Sequence, residues 1–235
     1  NINILCSDTG NMNVFDNDNR YREVADFVKE EISRYDSGHD WSHISRVLGT
    51  SLYIFEKEGT GDMSVVILGA MMHDIGDRKF GAEKKYDEIS SFLKKMNFDN
   101  HVIEAVTDIN RNISFSESDR VINKSAELMI VQDADRLDAI GAIGIARAFS
   151  YGGYKNRPMY IPDYNAVEPG DMSAYRKTTS PTINHFYEKL LLLKDMMNTE
   201  TGKQLAGERH RFMEMFLEQF YNEWDIADFK LQSLK

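Results

Sequence analysis

His73 and Asp74 stand side by side in "MMHDIG", at the end of an apolar run, and His43 lies thirty residues earlier in "HDWSHISRV". Imidazole nitrogen suits Mn, Fe, Co, Ni or Zn, and a carboxylate adds the negative charge that holds a dication. Neighbouring residues on a helix point about 100° apart, so His73 and Asp74 reach one ion only where it lies over the edge between them. Further ligands must then come from other segments. One source is His43, on a helix that Asp40 can cap; another is "VQDADRLDAIG", where Asp133, Asp135 and Asp138 crowd one helix among apolar neighbours. Acidic side chains in such a setting are costly unless paired or bound to a cation, and Asp135 is the first choice among the three.

The elements that must position these residues read as helices. All four prolines (Pro158, Pro162, Pro169, Pro181) fall in one stretch, which leaves the rest of the chain without the strongest helix breaker. Asp18 or Asn19 can cap a helix carrying Val24, Phe27, Val28 and Ile32; Asp40 can cap the next, with Ile44, Val47, Leu48, Leu52 and Phe55 on one face. Residues 63–75 are too uniformly apolar to show a solvent face and read as a central buried helix ending near Gly76, with a buried strand as the competing reading. Helices are expected over 84–96, 100–111, 119–131 and 134–149, then from a Ser180–Pro181 start through Met197, and from about 202 to Trp224. Residues 151–179 form one long proline-containing loop, long enough to serve as a lid. The expected architecture is all-α, with a flexible tail over 1–18 that includes Cys6, and a single domain over 19–235.

The 235 residues, 42% hydrophobic and 28% charged, are enough for a substantial core. A lone cysteine excludes an internal disulfide, and no apolar run approaches the roughly 20 residues that span a bilayer. The first residues lack a basic stretch followed by an apolar one, so the expected location is cytoplasmic. A formal charge of −10 argues against non-specific attraction to nucleic acid or an anionic membrane. It leaves room for a phosphorylated small molecule wherever a metal and a few cations reverse the field inside one cleft.

The pattern of His43, the His73–Asp74 pair and Asp135 resembles the HD superfamily of metal-dependent phosphohydrolases. Four blocks extend the likeness over about residues 20–225: "GHDWSHISRV", "HDIGDRKF", "VQDADRLDAIGAIGIARAFSYGG" and "TINHFYEKLLLL". In this order they are similar to the small bacterial HD-domain hydrolases of the YpgQ and YedJ type. The resemblance implies an HD-domain helical bundle and the metal ligands His43, His73, Asp74 and Asp135. Members with two metals use extra histidines after the HD pair. Here only His101 lies between Asp74 and Asp135, beside Asp108, Asn110 and Asn112 in "TDINRNISF", so one divalent ion is expected, with manganese favoured over Fe, Co, Ni, Zn or Mg.

Four such ligands leave two octahedral positions, for water and a phosphate oxygen. The resemblance implies that Asp77, three residues after Asp74, is the general acid/base, in competition with a simple pairing to Arg78. Cations beside the motifs are the expected phosphate contacts: His39, Arg46, Arg78, Lys79, Lys84 and Arg136. His185 and His210 read as core or surface histidines rather than ligands, and Phe212, Phe216, Phe220 and Trp224 as packing. The activity implied is pyrophosphohydrolysis of nucleoside triphosphates. Phosphomonoesterase or phosphodiesterase action is the alternative, and an inactive metal-binding regulatory module a further one. The expected partner is a small phosphorylated substrate, and a homodimer is compatible with the sequence.

Overall fold

The computed structural model describes residues 18–33, 40–75, 82–114, 123–164, 167 and 179–232, without the side chains of 82–85 and 227–232. Among these the chain is helical with no strand, so the buried apolar segment is a helix as expected, over Met63–Met72, with residues 73–75 a turn. In order, the helices are α1 (Asn19–Ile32), α2 (Trp41–Glu58), α3 (Met63–Met72), α4 (Ala82–Lys95), α5 (Asn100–Asn112), α6 (Ala126–Asp138), α7 (Gly141–Tyr154), α8 (Asn184–Glu188), a 3₁₀ segment (Leu190–Met196) and α9 (Glu200–Gln232).

The apolar run is the centre of the fold. Asp62 caps α3 by accepting from the Ser64 backbone N–H at 2.7 Å, and every residue from Val65 to Met72 is buried. Such a helix needs neighbours on all sides, and α1, α2, α5 and α6 supply them. On one side Gly69 lets α5 come close: a Cβ there would stand 2.7 Å from the Ile109 Cδ1. A second, aromatic layer joins α7, α8 and α9, with Phe149 6.2 Å from Phe186 and 5.9 Å from Phe216, and Phe220 stacked 6.0 Å from Trp224. The expected packing role holds for Phe216, Phe220 and Trp224, whereas Phe212 is exposed.

Three boundaries differ from the sequence expectations. A single helix, α6, crosses 131–134, because Ser125 caps it (accepting from Leu128 N–H at 3.1 Å) and the break comes later, where Gly141 adopts φ +74°. The helix expected from Pro181 to Met197 is two pieces: Lys189, with φ −146° and ψ −57°, ends α8 and the chain tightens to 3₁₀. The last helix begins at Glu200 and passes Trp224, since Asp133 of α6 caps its start from outside. The buried Asp133 carboxylate accepts from the backbone N–H groups of Asn198 (2.9 Å) and Thr199 (2.7 Å) and from the Thr199 hydroxyl (2.8 Å).

Candidate metal centre

Three helices deliver the donors. α3 ends at Met72, His73 follows as its C-cap, and the His73 Nδ1–H donates to the Ala70 carbonyl at 2.8 Å. That bond settles the tautomer: Nε2 carries the lone pair and points into the fold. On α2, whose N-cap Asp40 accepts from the His43 backbone N–H at 2.7 Å, the His43 Nδ1–H donates to Asp138 Oδ2, also at 2.7 Å. A carboxylate only accepts, so here too Nε2 is left as the donor atom. The two Nε2 atoms face each other 3.3 Å apart, both residues being buried.

Carboxylates complete the group. Asp74 places Oδ2 3.5 Å from His43 Nε2 and Oδ1 3.5 Å from His73 Nε2, and Asp135 Oδ1 lies 3.5 and 3.7 Å from the same two nitrogens. One atom each from His43, His73 and Asp135 falls within 4.8 Å of the others. Two imidazole lone pairs aimed at one another, flanked by two carboxylates, repel unless a cation lies between them, and nitrogen–oxygen donors of this kind suit a divalent transition metal. All four expected ligands therefore meet, and the donor set fits one ion. The end of α3 adds its carbonyl dipoles, which also favour positive charge.

Around the donors a second layer of charge fixes orientation. Arg46 Nε donates to Asp138 Oδ1 at 2.6 Å and its Nη2 to Oδ2 at 3.0 Å, while Arg147 Nη1 lies 2.5 Å from Oδ2. Burial pushes the Asp138 carboxyl up, but His43 and Arg46 outweigh it and hold it well below the usual range. For His43 burial opposes protonation, yet Asp135 and Asp138 draw its pKa up to about 9. Asp135 is resisted by burial and lowered by His43 and His73. In the absence of metal the centre thus holds a proton where the ion belongs.

The expected phosphate contacts divide. Arg46 is engaged with Asp138, and Arg136 turns from the centre to bond the Met196 carbonyl. His39, Asp77, Arg78 and Lys79 lie outside the described residues, as does the Lys84 side chain. His101 is 68% exposed and sits 3.6 Å from Asp62, at the end of α3 opposite to His73, so it is not brought to the centre. Asn110 donates to the Val106 carbonyl, and Asn112 pairs with Asp108.

Sequence reasoning passed over three groups. Asp138 was visible as one of three crowded acids, and Arg147 lay in a quoted block without a role. Lys189, in the last block, is partly buried; its ammonium is destabilised by burial and steadied by Asp135 and, more weakly, by Asp74. No local signal marked it, since the expected helix ran through it to Met197.

The HD domain family model matches residues 40–140, a span that contains His43, His73, Asp74 and Asp135. The Bacillus subtilis protein YpgQ is 40% identical over 207 residues, covering 84% of this chain and 90% of its own. A crystal structure of an HD-superfamily hydrolase from Bacillus thuringiensis is similar at TM-score 0.69 and 40% identity, covering 88% of this chain and 97% of its own. YpgQ in complex with ADP is similar at TM-score 0.68 and 35% identity, covering 86% and 97%. The chain belongs to the HD superfamily of metal-dependent hydrolases.

Proposed function

We propose that the protein is a nucleotide pyrophosphohydrolase, cleaving nucleoside triphosphates to monophosphate and pyrophosphate. The observation that carries phosphoryl chemistry is the convergence of His43, His73, Asp74 and Asp135 on one point. The nucleotide reading is supported by the ADP complex of YpgQ, a relative over most of both chains.

A bound dication supplies Lewis-acid polarisation of a phosphoryl oxygen and a water of lowered pKa. The chain's own residues do the rest. Asp74 and Asp135 neutralise the ion's two charges, so attraction for a polyphosphate must come from nearby cations. Lys189, close enough to feel both carboxylates, supplies one, and the Asp138–Arg46–Arg147 group carries a net positive charge. Asp77, three residues after Asp74, is the proposed group that orients the attacking water and moves its proton.

The test is product analysis. Metal-stripped protein is incubated with nucleoside mono-, di-, tri- and cyclic phosphates, each with Mn²⁺ and with Mg²⁺. Metal-dependent pyrophosphate release from triphosphates, lost at least a hundredfold in His73→Ala, is the expected result. Orthophosphate from a monophosphate, or opening of a cyclic nucleotide, overturns the bond assignment in favour of a phosphoesterase. No turnover with any metal favours a regulatory module.

A further inference from the structure

The longest helix presents apolar side chains in two directions. Towards the bundle, α9 turns Met213, Phe216, Leu217 and Phe220, as an amphipathic helix on a core should. On its outer side stand Phe212, Met215 and Ile226, 48%, 66% and 68% exposed; the last two are the most exposed large apolar side chains among the described residues. With the exposed Gln219 and Asn222 they recur at steps of three, four, three and four. That spacing holds a narrow stripe on one side of a helix, roughly opposite the buried face, and is the pattern of a seam between two helices. Covering one core needs one apolar face, so the outer stripe is left over from this chain's own packing.

Charge is divided along one flank of the stripe. From Phe212 to Ile226 the helix carries Glu214, Glu218, Glu223 and Asp225, and neither lysine nor arginine. Ahead of it lies a groove of about 410 Å³ lined by Lys194 from the 3₁₀ segment and by Lys203 and Arg211, with Glu208 and Glu214. Lys203 is tied to Glu200 at 2.6 Å, and Glu214 lies 3.3 Å from His210. Arg211, Glu218 and Asp225 are seven residues apart and so share the flank, cation first and acids after.

We propose that the outer face of α9 is the interface of an antiparallel homodimer. Two copies of one helix bring a cationic start against an acidic end only when they run in opposite directions. About a two-fold axis between Met213 and Glu214, Phe212 meets Met215 of the second copy, and Arg211 meets Glu218 of the second copy. Symmetry makes each contact twice. Lys194 and Lys203 then face Asp225 of the second copy. Parallel pairing instead sets Glu218 beside Glu223 of the second copy and leaves the cations together. Gln219 and Asn222 interrupt the apolar stripe, a device that fixes register at some cost in strength. The interface is independent of the activity proposed above.

Sedimentation equilibrium of the metal-loaded full chain over about 1–200 µM is expected to show monomer and dimer in exchange. Phe212→Asp and Met215→Asp are each expected to raise the dimer dissociation constant about thirtyfold or more, the size of a hot-spot loss. Their circular dichroism should match wild type, because both side chains are exposed. Arg211→Glu and Glu218→Arg are each expected to weaken the dimer about threefold, and the double variant to restore it. In a Cys6→Ser background, oxidation is expected to cross-link Met215→Cys to its own copy but not Ile226→Cys, which the axis carries far from its equivalent. A wild type that stays monomeric throughout overturns the proposal, as does a dimer that survives both aspartate variants. Equal cross-linking at 215 and 226, or a double charge variant no better than the singles, overturns the antiparallel arrangement.

Discussion

At the scale of residues, the centre depends on which nitrogen of each histidine is free. Ala70 and Asp138 each occupy an Nδ1–H, and only for that reason do both Nε2 atoms face inward. Outer partners of this kind set ligand basicity and direction. Asp138→Asn keeps the shape but removes the charge that Arg46 and Arg147 bracket. Its metal affinity, measured by competition with a chelating indicator, is expected to fall 10- to 100-fold, roughly the range for lost outer partners. Unchanged affinity would sink this role for Asp138.

At the scale of elements, α6 shows one helix serving two purposes. Asp135 faces the centre, and Asp133, two residues back and so some 160° around the helix, faces α9. Asp133 is fully buried, yet its oxygens take up orphan donors at the start of α9, including the Asn198 side-chain N–H at 2.7 Å. Asp133→Ala leaves those donors buried without partners, a loss of about 3 kcal/mol. For a domain of this size the melting temperature should then drop by roughly 6–12 °C. Thermal denaturation of metal-free protein checks it, and a change under 2 °C would contradict the capping role.

At the scale of the whole molecule, metal, proton and fold are linked. Without metal, His43 has a pKa of about 9 in the folded protein against an ordinary 6.5. Its protonation therefore stabilises the metal-free fold fully below 6.5, progressively less above, and not at all beyond about 9. The same proton competes with the ion, so apparent metal affinity should rise up to tenfold per pH unit until about 9 and then level off. The stabilisation by a fixed sub-saturating amount of Mn²⁺ should accordingly be larger at pH 8.5 than at pH 6.5. Scanning calorimetry at the two values decides this; equal shifts would remove His43 from the ligand set. No helix among the described residues is long and apolar enough to cross a membrane.

The sequence by itself determined the helical class and the central buried helix, and it singled out the adjacent His73–Asp74 pair as a metal-binding candidate. Apolar periodicity, caps and the adjacency of His73 and Asp74 are local properties of the chain, and they are recognisable before any contact is known. Tertiary structure decided what depends on neighbours distant in sequence. Three acids share α6, and although Asp135 was the first choice for the centre, nothing local assigned partners to the other two. Packing assigned Asp133 to α9, Asp135 to the centre and Asp138 to His43. Arg46 and Arg136, expected on phosphate by position alone, meet Asp138 and a carbonyl, the acceptors that the fold brings to them. Lys189 comes near Asp135 only because α8 breaks where it does.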